Sequence, residues 1–186
     1  MARTPTYSIP LGFTAPPFRL PDTVSGRTLD AAELASDAPT VVVFMCNHCP
    51  FVVHILQEFV TFAKEYMAKG VNVIAISSND VKSYPGDGPD HMKLLAEKMD
   101  FGFPYLYDES QEVARAYEAA CTPDFSIFDA GQRCVYRGQF DGARPGNDIP
   151  VTGNDMRHAL DALLSGRAVS EEGQIPSLGC NIKWKA

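Results

Sequence analysis

Residues 40–50 read TVVVFMCNHCP, and this stretch decides the fold. Thr40 to Met45 is an unbroken β-branched and aromatic run, the pattern of a strand buried on both faces of a parallel sheet. Cys46 follows it directly. From Pro50 to Lys69 the apolar residues Val52, Ile55, Leu56, Phe59, Phe62, Ala63 and Tyr66 recur at helical spacing, and Gly70 ends the helix. Val71 to Ser77 (VNVIAIS) is a second buried strand. A strand-helix-strand unit of this kind implies a right-handed crossover in an α/β sheet.

Outward from this core, Pro16 to Asp30 carries two short apolar-alternating pieces around a Ser-Gly turn and predicts a hairpin. Ala31 to Ala35 reads as a helical turn. Ser78 to Pro89 is a turn-rich loop before a helix from about Asp90 to Met99. A short strand at Tyr105 to Tyr107, a short helix at Ser110 to Glu118 and strands at Asp124 to Phe128 and Arg133 to Phe140 follow. Asn154 opens a last helix with Met156, Ala159, Leu160, Leu163 and Leu164 on one face, and the chain ends in a tail, GCNIKWKA. The expected organisation is one domain over 1–186, with an N-terminal extension of about 1–38 and a C-terminal tail of about 167–186.

With 45% hydrophobic and 21% charged residues the chain has the balance of a folded domain with a real core. Its net charge of -7, without any basic block, argues against nucleic acid as a partner. No stretch approaches the roughly 18 apolar residues of a bilayer span. Prolines at 5, 10, 16 and 17 interrupt the amino-terminal region and leave no apolar run for a secretory signal, so a cytoplasmic location is expected. Five cysteines, an odd number, do not suit a secreted disulfide framework.

The chemistry is expected at Cys46 and Cys49. Two cysteines three apart at the start of a helix lie on one face, at a Cα separation suited to a disulfide, roughly 4.4 to 6.8 Å. Cys46, where strand hands over to helix, would face unpaired backbone N–H groups and the positive end of the helix dipole. Such placement lowers a thiol from about 8.5 to roughly 3.5 to 7.5. Cys46 then attacks a substrate disulfide and Cys49 resolves the mixed disulfide. His48 between them is expected to support the Cys46 thiolate, giving a potential less negative than about -270 mV. The competing reading of a Cys-x-x-Cys is half a zinc site that Cys121 and Cys180 would complete. No second closely spaced pair exists, and neither a metal nor another cofactor is expected.

The order TVVVFM, CNHCP, long helix and then CTPDFSIFD resembles the thioredoxin superfamily. With APPFRLPD, GQFDGARPGNDIPVTGNDMRHALDALLSG and PSLGCNIKWK, the chain is similar over nearly its whole length to the redoxin branch, the peroxiredoxin-like AhpC/TSA proteins. The resemblance implies a thioredoxin-like α/β fold, a central mixed sheet flanked by helices with an N-terminal β-hairpin. It also implies a cis Pro123 facing the cysteine pair, with the Thr122 backbone receiving an extended substrate peptide by strand addition. The chain departs from the peroxiredoxin pattern P-x-x-x-[T/S]-x-x-C, for Pro39 is present but Val43 stands at the hydroxyl position before Cys46. Counting back from Cys49 gives Val42 and Cys46. Valine cannot hydrogen-bond a peroxide. Met45 occupies the place where thioredoxins commonly carry tryptophan.

Among other residues, Cys121 near Pro123 is a candidate second redox centre with Cys180, whereas Cys134 reads as core. His54, His91 and His158 are expected at the surface, and Asp141 and Arg144 as solvated loop charges. The leading reading is a thiol-disulfide oxidoreductase acting on protein or small-molecule disulfides, with a cellular thiol as reductant. A peroxiredoxin-like peroxidase is the alternative, and a copper- or zinc-binding module using Cys46, Cys49 and a histidine comes from another class. No membrane partner is expected, and the protein would act as a monomer or homodimer.

Overall fold

A computed structural model describes residues 3–7, 10–35 and 37–186. Met1, Ala2, Ser8, Ile9 and Ser36, all within the expected N-terminal extension, lie outside the described residues. The first half holds β1 (Arg3–Pro5), β2 (Arg19–Pro21), β3 (Thr28–Asp30), α1 (Ala31–Leu34), β4 (Thr40–Phe44), α2 (Pro50–Ala68) and β5 (Asn72–Ser77). A 3₁₀ turn (Pro85–Asp87), α3 (Pro89–Met99), β6 (Tyr105–Tyr107), α4 (Glu112–Ala116), β7 (Cys121–Thr122), β8 (Asp124–Phe128), β9 (Cys134–Gly138), α5 (Asn154–Leu164) and β10 (Leu178–Asn181) follow.

The central sheet has the order β6-β5-β4-β8-β9. All five residues of β4 are buried, because it runs between β5, parallel with Val42 beside Ile74, and β8, antiparallel with Val42 beside Ser126. Alternation along the strand divides the interior in two. Val41, Val43 and Met45 pack under α2 with Val52, Ile55 and Phe59. Val42 and Phe44 face Phe18, Leu20, Tyr117 and Phe128. Phe59 anchors the first core, its ring 5.6 Å from those of Phe103 and Phe125 and 5.8 Å from that of Phe140.

The hairpin expected between Pro16 and Asp30 is β2-β3, antiparallel with Leu20 opposite Leu29. Buried Asp22 ties it to the sheet by accepting hydrogen bonds from Ser25 N at 3.0 Å and Tyr105 N at 3.0 Å. The last helix is capped by Gly153 at φ +67°, and Leu164, expected on its buried face, is 38% exposed. Among the described residues no helix is long and apolar enough to cross a membrane.

Two expectations change. The helix starts at Pro50 as expected, but Cys49 is its N-cap at φ -65°, ψ 121°, so the two cysteines do not share a helix face. Proline suits the first helical position and bars the residue before it from helical angles, so neither cysteine lies inside the helix. The expected C-terminal tail is in part a strand, since β10 is the middle of a second sheet, β1-β10-β7. Arg3 and Thr122 lie opposite Cys180 on either side, and Asn181 pairs with Cys121. Gly179 makes this possible, for a Cβ there would stand 1.9 Å from the Thr122 carbonyl oxygen. Beyond β10, Ile182 N donates to Ala120 O, Lys183 N to Asn79 Oδ1 and Lys185 N to Gln111 Oε1, at 3.1, 2.9 and 2.8 Å.

Candidate active site

The C-terminal ends of the parallel strands β4 and β5 converge on one rim of the sheet, where α/β folds place their sites. From β4 come Cys46, Asn47, His48 and Cys49, and the loop after β5 brings Asn79, Tyr84 and Asp87 to them. From the other side β7 brings Thr122 and Pro123, joined by a cis peptide bond as the resemblance implies.

Cys46 and Cys49 act on each other's ionisation and both touch Thr122. The Cys46 sulfur lies 3.6 Å from Thr122 Oγ1 and 4.0 Å from His48 Nδ1. When protonated, Cys49 donates to the Thr122 carbonyl at 3.0 Å. The pair gives up one proton easily and holds the other. Cys46 lowers Cys49 to about 4 against the cost of burial, and the backbone N–H of Val52 assists. Cys49, then burial, then the charge of Asp87 push Cys46 up. The lower value falls on Cys49 rather than on Cys46, and its first cause is the neighbouring Cys46 sulfur. Both residues are buried, Cys46 at 1% exposure and Cys49 at 0%.

The expected support of Cys46 by His48 is weak in this geometry. His48 Nδ1 lies 2.5 Å from Asp87 Oδ2, and a ring nitrogen carrying one proton serves the shorter, charge-assisted bond. Asp87, fully buried, also accepts from Asn47 N at 2.9 Å, His48 N at 3.3 Å and Asn79 Nδ2 at 2.9 Å. It fixes the Cys46–Cys49 turn through its backbone. Tyr105 OH donates to Asn47 Oδ1 at 3.1 Å, and Tyr84 stacks on His48 with centroids 5.3 Å apart. Sequence reasoning missed Asp87, whose one trace was its place in the loop leaving the second parallel strand.

The hydroxyl that Val43 cannot supply comes from Thr122 instead. The charged group acting on Cys46 is the carboxylate of Asp87. Thr122 is not open to an added strand on its β10 edge, because β10 already pairs there. The expected Cys121–Cys180 centre is replaced by another contact. Register sets Cys180 opposite Thr122, whose carbonyl contacts the Cys49 sulfur, and burial and the neighbouring Cys49 push the Cys180 thiol up. The Cys121 sulfur is engaged by Thr6 Oγ1 at 3.7 Å and Pro123 O at 3.5 Å. Cys134 is core at 1% exposure. His91 and His158 are exposed, while His54 is half-buried with Nε2 unpaired. Asp141 is buried rather than solvated, accepting from the N–H groups of Ala143, Thr152 and Gly153, and Arg144 donates to backbone carbonyls beside it. A metal would be held by Cys46 Sγ, His48 Nδ1 and an Asp87 oxygen, which lie within 4.8 Å of one another, a donor set that zinc accepts.

Residues 11–140 match the AhpC/TSA family. A crystal structure described as an uncharacterized conserved protein from Geobacillus kaustophilus is 56% identical with a TM-score of 0.97, covering 100% of this chain and 97% of that one. A hypothetical protein from Sinorhizobium meliloti 1021 is 47% identical with a TM-score of 0.95, covering 98% and 99%. A peroxidoxin from Mycobacterium tuberculosis shares the fold at 22% identity and a TM-score of 0.56, covering 67% and 82%. No match was found among curated proteins. The chain has a thioredoxin-like fold and belongs to the AhpC/TSA family.

Proposed function

We propose that the protein is a thiol-disulfide oxidoreductase whose working group is the Cys46/Cys49 pair. One observation carries the reading: Cys46 and the N-cap residue Cys49 are buried together at the start of α2, and both contact Thr122 beside the cis Pro123. As substrate arrives, the remaining proton passes from Cys46 to Cys49, and Cys46 attacks. Cys46 is the sulfur behind solvent-facing His48, whereas Cys49 is closed in by the Thr122 carbonyl and Cys180. The substrate S–S bond breaks, one thiolate leaves, and Cys46 carries the mixed disulfide. Cys49 then attacks Cys46 Sγ, releasing the second thiol and leaving a Cys46–Cys49 disulfide. A cellular thiol returns it to the dithiol, a cycle that suits the reducing cytoplasm. Because β10 occupies one edge of β7, the reading favours a small disulfide, or one at a protein loop tip, over a peptide bound by strand addition.

Thr122 Oγ1 beside Cys46 favours a second reading, in which the same sulfur takes oxygen from a peroxide and Cys49 expels it as water. The two are separated by insulin reduction and by hydrogen peroxide consumption, each with a thiol donor. Disulfide reduction lost in Cys46→Ser is the expected result; rapid peroxide turnover without disulfide reduction would move the assignment to the peroxidase. Stoichiometric zinc or copper on protein purified without chelator, lost in Cys46→Ser, would displace both.

A further inference from the structure

The proposed cycle leaves one sulfur of the site unused. Cys180 is 2% exposed on β10 and belongs to the same packed cluster as Cys46 and Cys49. It lies opposite Thr122, whose carbonyl oxygen contacts the Cys49 sulfur at 3.0 Å, and burial and the neighbouring Cys49 push its thiol up. Two further features hold it there. Helix α2 packs against β10, and Gly179 lets the β10 backbone lie against the Thr122 carbonyl. Past β10, Asn79 grips both the site and the tail, donating to Asp87 Oδ2 while accepting from Lys183 N. A cysteine-bearing strand paired antiparallel with the residue before Pro123 is what an incoming peptide would offer by strand addition. Here the chain supplies that strand itself.

We propose that Cys180 is a third redox cysteine, an internal substrate that exchanges with Cys49. This rests on the reading of Cys46/Cys49 as the redox pair. In the oxidised site the Cys180 sulfur attacks Cys49 Sγ, the Cys46–Cys49 bond breaks and a Cys49–Cys180 bond forms. The electron pair leaves on Cys46, which takes up the proton Cys180 gives up. No external oxidant or reductant enters, since one disulfide replaces another. In the disulfide form Cys49 carries no charge, so the negative charge that helps hold the Cys180 proton in the reduced site is gone. The exchange frees the Cys46 thiol for a second substrate while the oxidising equivalent waits at the C-terminal strand.

The test uses full-length Cys46→Ser, treated with oxidised glutathione and read by intact mass and non-reducing peptide mapping. The expected result is loss of two hydrogens and a Cys49–Cys180 cross-link that Cys46→Ser/Cys180→Ser does not form. Glutathione retained on Cys49, with Cys180 alkylated after unfolding, overturns the proposal. If the wild type forms Cys46–Cys49 while Cys46→Ser never bridges, this inference alone fails; if the wild type forms no internal disulfide, the reading beneath it fails too. Cys180→Ser and Cys180→Ala separate exchange from positioning, because serine keeps a small polar donor at this place but cannot bridge. Insulin-reduction rates that fall together in both variants support exchange. A normal rate in Cys180→Ser overturns it.

Discussion

Lowering the pH from about 8 to about 5 should leave the reactivity of the cysteine pair almost unchanged. The apparent value of about 4 belongs to the pair, so at pH 5 about 90% of the sites still carry a thiolate. A free thiol with a pKa of about 8.5 is ionised there to about one part in 3,000, and across the same range its alkylation falls several hundredfold. Intrinsic nucleophilicity works the other way. With a Brønsted slope of about 0.45 and about 4.5 units between the two thiols, the pair's sulfur is about a hundredfold weaker once ionised. These factors cancel near pH 6.5, and at pH 5 the pair should outrun a free thiol about thirtyfold for equal access. Burial lowers every rate by a common factor and leaves the shape of the profile intact. Iodoacetamide kinetics on reduced protein between pH 4 and 8, with the labelled residue located by mass spectrometry, is the assay. A rate that falls tenfold per pH unit below 8 would refute the shared-proton pair. Label found first on Cys49 would reverse the proposed order of attack.

Asp87→Asn removes the negative charge that pushes Cys46 up. The second proton of the pair should then come off at lower pH, measured by thiolate absorbance between about pH 8 and 11; a second step at unchanged or higher pH contradicts the electrostatics. Gly179→Ala puts a methyl 1.9 Å from a backbone oxygen, and the forced backbone shift should cost about 1–3 kcal/mol. For a chain of this size that is a fall of roughly 2–12 °C in Tm, and an unchanged calorimetric melt would show that β10 does not lie so close. Tyr84→Ala removes the ring stacked on His48. It should raise the alkylation rate at every pH without changing the profile, and an altered profile would mean that Tyr84 acts on the ionisation itself.

The parts of the fold legible in the sequence are those whose burial repeats locally. β4 and α2 each carry enough apolar residues, at periods of two and 3.6, to announce which face is inside. β10 does not. Its four residues LGCN hold little apolar surface, and what makes them a strand is pairing with Thr122 and Arg3, far away in sequence. The site divides in the same way. Cys46, His48 and Cys49 are local, whereas the hydroxyl near Cys46 comes from 76 residues downstream and the carboxylate on His48 from 39. Searching β4 for the hydroxyl found Val43, because a hydrogen bond needs proximity in space and any strand at the rim can provide it.

The placement of charge follows from competition at two atoms. A helix dipole is felt within its first turn, so the sulfur at the N-cap receives its benefit, and Pro50 makes that residue Cys49. His48 Nδ1 has one proton to give, and at 2.5 Å from a buried carboxylate against 4.0 Å from a sulfur it gives it to Asp87. The imidazole therefore anchors the loop rather than the thiolate. The nearest fixed charge left to act on Cys46 is negative, which opposes the strongly oxidising potential that a cationic His48 would confer. The closeness of the two sulfurs offsets that opposition, lowering Cys49 while Cys46 keeps its proton, so the pair meets substrate already carrying a thiolate.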